Sequence, residues 1–202
     1  MTIYAIVNDL LAHDEAIQTS GPIWTLISPS GILQGGNPYF VPDFASRFEA
    51  RTATAVRIGK LGKGIAPRFA SRYVDAAAPA VVFVASDRLE ALRCAGLPWS
   101  SALSYDRCLA IGKFQPMAYD EIAQCRCAVC LQAADSAEPA VCYNEKSTIT
   151  LEETIAALSR DNTLKTGDII LTGLSGHGPE VKPEMRARLM INGETGLGFN
   201  IR

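Results

Sequence analysis

The fold is decided by one stretch near the C-terminus, Lys165-Thr166-Gly167-Asp168-Ile169-Ile170-Leu171-Thr172-Gly173. Its apolar run predicts a β-strand over residues 165–172. Residues 172–179 follow this strand and are rich in glycine, so their backbone amides can approach an anionic ligand closely. A plain connecting loop fits the same composition equally well. A strand that enters a glycine-rich loop is therefore the first candidate for a binding site.

The rest of the chain alternates short strands with short helices. Patterns of apolar and β-branched residues predict further strands at residues 3–7, 52–58, 80–85, 124–131, 139–143, 186–191 and 198–201. Helical spacing predicts helices at residues 10–17, 68–77 and 87–95, and from Thr150, where Glu153 completes a capping box. Asn192-Gly193 predicts a tight hairpin turn. With 202 residues and no repeat or linker, the sequence predicts a single α+β domain over residues 1–202.

Composition excludes several classes of partner. The formal net charge is -2 and 20% of the residues are charged, without a basic block, which argues against nucleic-acid binding. No apolar run approaches the roughly 18 residues that a membrane span needs. The first residues also lack the basic start of a signal peptide. We expect a cytoplasmic protein that binds neither nucleic acid nor membrane.

Six cysteines raise the question of a metal or disulfide site. Three of them, Cys125, Cys127 and Cys130, lie close together, and Cys142 follows. In a strand Cys125 and Cys127 share one face while Cys130 points to the other, and no histidine lies nearby to complete a tetrahedral zinc site. Free cysteine behaves as a small apolar residue, so the sequence predicts buried thiols in a reducing compartment.

Two histidines, His13 and His177, are the candidates for acid–base chemistry. Histidine is the side chain best suited to proton transfer near neutral pH. His13 lies in a predicted helix and His177 in the glycine-rich loop. A surface histidine or a hydrogen-bonded core histidine is the alternative interpretation of each.

Several stretches together resemble the fumarylacetoacetate hydrolase family. They keep their order and spacing along nearly the whole chain, at residues 37–44, 60–65, 72–75, 96–99 and 164–173. The resemblance implies a mixed β-roll with flanking helices, usually a homodimer. It also implies activity on small 2-oxo or β-diketo acids, which family members hydrolyse, decarboxylate or isomerise around Mg²⁺ or Mn²⁺.

The residues that hold the family's metal are replaced in this chain. The family has an E-x-E pair before its I-x-K stretch, and counting back from Lys60 places the two glutamates at Arg51 and Ala53. Its third ligand, an aspartate, falls on Val82. Mg²⁺ and Mn²⁺ need oxygen ligands, which none of these side chains supplies. We therefore expect no metal cofactor, although Mg²⁺ or Mn²⁺ is the expectation for the family.

The family's other reactive positions are only partly kept. Its lysine that stabilises an enolate-like oxyanion falls on Leu103, which cannot polarise an oxygen. The histidine that activates water from the N-terminal lid matches His13, with Glu15 as the displaced acidic partner. Thr172 and Gly173 match the family's substrate-lining residues. Arg51 would repel a divalent cation and attract a carboxylate.

Three functions follow from this pattern. The first is a non-catalytic homologue that retains a pocket for a small carboxylate among Arg51, Thr172, Gly173 and the glycine-rich loop. The second is an active hydrolase, decarboxylase or isomerase of small 2-oxo acids that uses His13 as base and Arg51 in place of the metal charge. The third is a structural subunit that pairs with an active paralogue.

Overall fold

The protein is described by a computed structural model that covers residues 1–11, 21–134, 136 and 138–202, with Leu11 described by its backbone alone. The strands in these ranges are β1 (Ile3–Ile6), β2 (Trp24–Ile27), β3 (Ile32–Leu33), β4 (Phe48–Ile58), β5 (Val74–Ala85), β6 (Leu109–Ile111), β7 (Gln115–Pro116), β8 (Cys127–Gln132), β9 (Ala140–Tyr143), β10 (Ile169–Thr172), β11 (Arg186–Ile191) and β12 (Glu194–Asn200). The α-helices are α1 (Asn8–Leu11), α2 (Ser86–Cys94), α3 (Tyr119–Gln124) and α4 (Leu151–Asp161). Short 3-10 helices lie at Pro29–Gly31, Pro67–Arg72 and Ser100–Ala102.

Two sheets enclose the core. The larger sheet has the order β2-β1-β10-β4-β5-β6-β3, with β7 beside β5, and the smaller has the order β12-β11-β8-β9. Inward side chains of β8 and β11, among them Val129, Leu131 and Leu189, join those of β4 and β5 in one buried apolar cluster. This packing confirms the α+β class and the mixed β-roll with a few flanking helices.

The long antiparallel pair β4 and β5 forms the centre of the larger sheet. Predicted as a strand over residues 52–58, β4 extends back to Phe48. From Ala76 to Ala85 every residue of β5 is buried, as the predicted two-faced strand at residues 80–85 requires. Any side chain on the inner face of this pair is therefore held rigidly and kept from water.

Asp168 fixes the stretch that first predicted the fold. Its carboxylate accepts a hydrogen bond from the Thr2 backbone N–H at 2.7 Å and another from the Lys165 N–H at 2.8 Å. Residues 165–168 thus form a turn, and β10 begins at Ile169 rather than at residue 165. Once inside the sheet, β10 runs parallel to β1 and antiparallel to β4. The carboxylate of Asp168 thereby ties the N-terminal strand to the turn before β10.

One predicted helix is wrong. Residues 68–77 form a 3-10 helix that ends at Arg72, and the β5 strand begins at Val74. Alanine-rich sequence favours a helix locally, but Ala76, Ala77 and Ala78 pair with β4 in the sheet, and this pairing overrides the local preference.

The helix predicted at residues 10–17 lies mostly outside the described residues and stays a prediction, while the two remaining helix predictions and the hairpin predictions are confirmed. Thr150 and Glu153 form the predicted capping box at the start of α4, and α2 covers nearly all of the helix predicted at residues 87–95. The β8–β9 and β11–β12 pairs are antiparallel, as expected. Among the described residues, no helix combines the length and the apolar character that crossing a bilayer would demand.

Candidate functional site

The positions that the family resemblance assigns to the metal ligands lie together on one face of β4 and β5. Arg51 is directly opposite Val82 across the two strands, and Ala53 is two residues further along the same face. Ala53, Val82 and Leu103 are completely buried in the same apolar cluster. The structure therefore brings these positions together, but their side chains form hydrophobic core instead of a polar reaction centre.

These residues do not fit a hard divalent cation. A guanidinium, a methyl group and an isopropyl group offer no oxygen atom, and the guanidinium adds a positive charge at the same place. Among the residues that the structure describes, no group of three or more histidine, cysteine, aspartate or glutamate side chains lies close enough to hold a metal ion.

Arg51 opens instead onto a cavity of about 430 Å³, here called the arginine pocket. Among the described residues, its walls contain three arginines and two glutamates. The residues that line it are Leu10, Arg47, Glu49, Arg51, Ser86, Leu89, Glu90, Arg93, Cys94, Gly176 and His177. A pocket of this size holds a small organic acid.

Ion pairs connect the arginines along the strand edge. Glu49 lies between two of them: its carboxylate is 3.0 Å from Nη2 of Arg51 and 3.8 Å from Nε of Arg47. Arg47 also lies 3.5 Å from the carboxylate of Glu90 and donates a hydrogen bond from Nε to Oγ of Ser86 at 2.8 Å. Because residues 47, 49 and 51 alternate along an extended strand, all three side chains emerge on one face.

The Arg51 guanidinium is the most unusual group in the pocket. Its side chain is only 7% exposed, and burial lowers the pKa of the guanidinium while Glu49 opposes that change. An arginine nevertheless stays protonated in a protein. Its Nε is buried and has no hydrogen-bond partner among the described residues. Buried donors are nearly always paired with protein, water or ligand, so the pocket contains a donor that suits an anionic acceptor.

The glycine-rich loop is held against β4 and contributes to the same pocket. A Cβ on Gly178 would overlap the Ala50 carbonyl, so only glycine allows this approach. The Ser175 backbone N–H donates to the Thr52 carbonyl at 2.9 Å, and Oγ of Ser175 accepts a hydrogen bond from the Thr52 N–H at 3.0 Å. These contacts place Gly176 and His177 on the wall that faces Arg51.

Thr172 and Gly173, the predicted substrate-lining residues, line a different cavity of about 580 Å³, here called the thiol pocket. Gly173 has a φ of 63°. A Cβ on Gly173 would overlap the Glu145 carbonyl oxygen, so a side chain is excluded there as well. The structure thus brings Arg51 together with the glycine-rich loop but not with Thr172 and Gly173.

The thiol pocket contains a cysteine pair on its wall. Cys125 lines the pocket, and Cys127 lies two residues further along and is completely buried. Both thiols are free, as predicted. The hydroxyl of Thr54 donates to Sγ of Cys127 at 3.4 Å and lies 3.8 Å from Sγ of Cys125. In turn, Nδ2 of Asn144 donates to the Thr54 hydroxyl at 3.1 Å.

Some site residues were not predicted from the sequence and others lie beyond what the structure describes. Arg47 and Arg93 were missed, although the Arg47-Phe48-Glu49-Ala50-Arg51 alternation is a visible sign of charges on one strand face. His13 and Glu15 fall in residues 12–20, outside the described residues. Their catalytic role stays a prediction.

Comparison with known proteins gives the family. The family model described as Fumarylacetoacetate (FAA) hydrolase C-terminal matches residues 4–197. A curated relative, the mitochondrial oxaloacetate decarboxylase of Dictyostelium discoideum, is 29% identical over 174 residues, which are 85% of this chain and 78% of the relative.

Solved structures share the fold. The fumarylpyruvate hydrolase from Pseudomonas aeruginosa, solved in complex with Mn²⁺ and pyruvate, has a TM-score of 0.80 and 20% identity, covering 100% of this chain and 89% of that one. A 5-carboxymethyl-2-hydroxymuconate delta-isomerase from Mycobacterium smegmatis has a TM-score of 0.74 and 17% identity, covering 99% of this chain and 78% of that one.

The family model matches nearly the whole chain, and the solved structures share its two sheets and their common core. This chain belongs to the fumarylacetoacetate hydrolase family. Within that family it carries an arginine, an alanine and a valine at the positions where the resemblance places three metal-binding carboxylates.

Proposed function

We propose that this protein binds a small carboxylate, such as a 2-oxo acid, without a metal ion, and that it is a non-catalytic member of its family. The observation that carries the proposal is the buried Arg51 guanidinium, which has an unpartnered Nε and lies on the wall of a pocket suited to a small acid. A guanidinium recognises a carboxylate through parallel N–H donors. Arg51 would therefore supply the positive charge that a metal supplies in other members.

The surroundings of Arg51 support the choice of an anionic ligand. Arg47 lines the same pocket, and its guanidinium adds positive charge beside Arg51 in a cavity with an apolar wall at Leu89. Glu49 uses only part of the donor capacity of Arg51, since its contact is to a single Nη2 atom. Further N–H groups are left for a ligand.

Loss of catalysis follows from the apolar residues at two positions that the family resemblance gives to a metal ligand and to the oxyanion lysine. Val82 and Leu103 are completely buried among apolar side chains. Neither can bind a metal ion or polarise a developing oxyanion, which is the stabilisation that usually contributes most to such reactions. We also propose that the protein is a cytoplasmic homodimer.

The test is calorimetric titration of oxalate and pyruvate into the protein in buffer that contains EDTA. We expect one-to-one binding to the wild type and about 10- to 100-fold weaker binding to Arg51→Met, because a hydrogen bond to a charged group contributes about 1.5–3 kcal/mol. Arg57→Met is the matched control, since Arg57 lies on the same strand outside the pocket and pairs with Asp75. Absence of binding by the wild type, or binding that appears only with Mn²⁺, would refute the proposal.

A second candidate is an active enzyme on 2-oxo acids, favoured by the relative named as an oxaloacetate decarboxylase. In this case His13 acts as base and Arg51 stabilises the enolate oxyanion. Oxaloacetate and acylpyruvates should be assayed with the wild type and with His13→Ala. Turnover that depends on His13 would establish the enzyme, whereas no turnover above background by either protein would leave the binding function.

A further inference from the structure

The thiol pocket contains a pair of sulfur atoms that neither proposed function uses. Cys125 lies directly before β8 with extended backbone angles of φ −65° and ψ 140°, and Cys127 is the first residue of β8. Side chains two residues apart on extended backbone point to the same side. Accordingly, both sulfur atoms approach the Thr54 hydroxyl.

The two cysteines differ in their access to solvent. Cys125 lines a cavity of about 580 Å³, while Cys127 lies behind it with no exposed surface. A small reagent that enters the thiol pocket therefore meets Cys125 first. Cys127 can react only with a group that is already attached to Cys125.

Hydrogen bonding directs protons towards the sulfur atoms. Thr54 has one hydroxyl proton, and its oxygen already accepts a hydrogen bond from Nδ2 of Asn144 at 3.1 Å. Asn144 is itself fixed, because its Oδ1 accepts from the Cys127 backbone N–H at 2.9 Å. The Thr54 proton is thus left for sulfur: the structure directs it to Cys127, and once Cys125 has lost its own proton a turn of the hydroxyl brings it to that thiolate.

We propose that Cys125 and Cys127 form a dithiol site that reacts with hydroperoxides, with Cys125 as the attacking thiolate and Cys127 as the resolving thiol. Cys125 attacks the distal oxygen of the hydroperoxide, the O–O bond breaks, and the products are a sulfenic acid on Cys125 and an alcohol, or water if the reagent is hydrogen peroxide. The Cys127 thiol then attacks the Cys125 sulfur and water leaves as the disulfide forms. The two thiols together lose two electrons and two protons, and the hydroperoxide gains them.

Electrostatics of the pair agree with this division of roles. A hydrogen bond from Cys127 and another from Thr54 lower the pKa of Cys125 to about 7 against the opposing effect of burial. The pKa of Cys127 is raised by its hydrogen bond to Cys125 and by burial. The accessible sulfur is therefore the more readily ionised one, as expected of an attacking thiol.

The test is peptide mapping of the full-length protein after brief treatment with hydrogen peroxide and alkylation of the remaining thiols. Trypsin cleaves after Arg126, so a disulfide between Cys125 and Cys127 joins two peptides that are otherwise separate. We expect this linked pair as the main product, formed before oxidation of the exposed Cys94. Oxidation of Cys94 while Cys125 and Cys127 stay reduced would overturn the proposal.

Variants separate the two roles. In Cys127→Ser we expect no disulfide and a sulfenic acid on Cys125 that dimedone traps. Cys142→Ser is the control, because Cys142 lies on β9 next to β8 and belongs to the same tryptic peptide as Cys127. The linked pair should persist in this control. A link from Cys125 to Cys130 or Cys142, or loss of the link in Cys142→Ser, would contradict the assignment.

Discussion

Arg51 on β4 lies directly opposite Val82 on β5, so their side chains share one face of the sheet. This is the face on which the family resemblance places two glutamates and an aspartate, and Ala53 lies on it two residues away. Three positions counted separately along the sequence thus meet in space. Their meeting shows that the replacements affect one location and not three unrelated ones.

The first prediction is that carboxylates at these positions create a metal site. The triple variant Arg51→Glu, Ala53→Glu and Val82→Asp would place three carboxylates on one face of two adjacent strands. Without metal, their repulsion and burial should destabilise the fold. With Mn²⁺ at 100 times its Kd, the fold should gain about 2.7 kcal/mol, measured as a rise in Tm.

The wild type and Arg51→Met are the controls for the metal experiment, and neither should show a Tm that depends on Mn²⁺. If the triple variant does not fold in EDTA, far-UV circular dichroism with and without Mn²⁺ still tests the prediction, since binding should restore the native spectrum. One-to-one Mn²⁺ binding by the wild type would contradict it. A triple variant whose Tm and circular dichroism spectrum do not change with Mn²⁺ would also contradict it.

The second prediction concerns the ion pair between Arg51 and Glu49, whose side chains are 7% and 15% exposed. Removing the carboxylate in Glu49→Gln leaves a buried charge without its partner, which costs about 3 kcal/mol. Arg51→Met leaves Glu49 with a second cation, Arg47 at 3.8 Å, and keeps an apolar side chain of similar length, so its effect on stability should be smaller, below about 1 kcal/mol. Urea unfolding followed by circular dichroism measures both.

The stability of Arg51→Met also serves as a control for the oxalate-binding experiment. Loss of oxalate binding in Arg51→Met then cannot be attributed to unfolding, because that variant should remain as stable as the wild type. Equal destabilisation by Glu49→Gln and Arg51→Met would show that Arg51 is a structural residue, and it would count against the proposed binding role.

The sequence predicted the fold better than it predicted the site, for physical reasons. Strands such as β4 and the capping box at Thr150 depend on local patterns, which are visible along the chain. The helix predicted at residues 68–77 failed because its alanines pair with β4, a partner that is distant in sequence. The Thr54 bridge to Cys127 likewise joins residues that no sequence spacing relates.

Only part of the site was predicted from the sequence. Counting from motifs gives the residue number of each site position, but it does not show which cavity the side chain lines. Arg51 and the glycine-rich loop do line one pocket. Thr172, the first residue of that loop, lines the other cavity, because it ends a strand in which it pairs with Thr54 of β4, and both line the thiol pocket. Which side of a sheet a strand presents is decided by register, and register is set by the whole fold.

The third prediction concerns Asp168, which belongs to the stretch that first indicated the fold. Its carboxylate is buried and accepts hydrogen bonds from the backbone N–H groups of Thr2 and Lys165. Asp168→Ala should destabilise the protein by about 1–3 kcal/mol, since two partly buried N–H groups lose their charged acceptor. Asp168→Asn keeps one acceptor oxygen and should cost less. Chemical denaturation measures the order, and an Asp168→Ala variant as stable as the wild type would contradict it.

The last prediction is the pH dependence of Cys125 alkylation. With the pKa of Cys125 lowered to about 7, the thiolate fraction and hence the rate with iodoacetamide should rise through pH 7 and level off above pH 8. The pocket also contains the charged groups of Arg126, Glu145, Lys146 and Glu152.

Thr54→Val and Cys127→Ala each remove a hydrogen bond that stabilises the Cys125 thiolate, so each should move the midpoint of the rate profile to higher pH. At pH 7 the rate should fall about two- to tenfold, as expected for loss of one hydrogen bond. The rate at Cys94, followed by mass spectrometry in the same samples, is the internal reference. A midpoint that stays near 7 in both variants would mean that these hydrogen bonds do not activate Cys125.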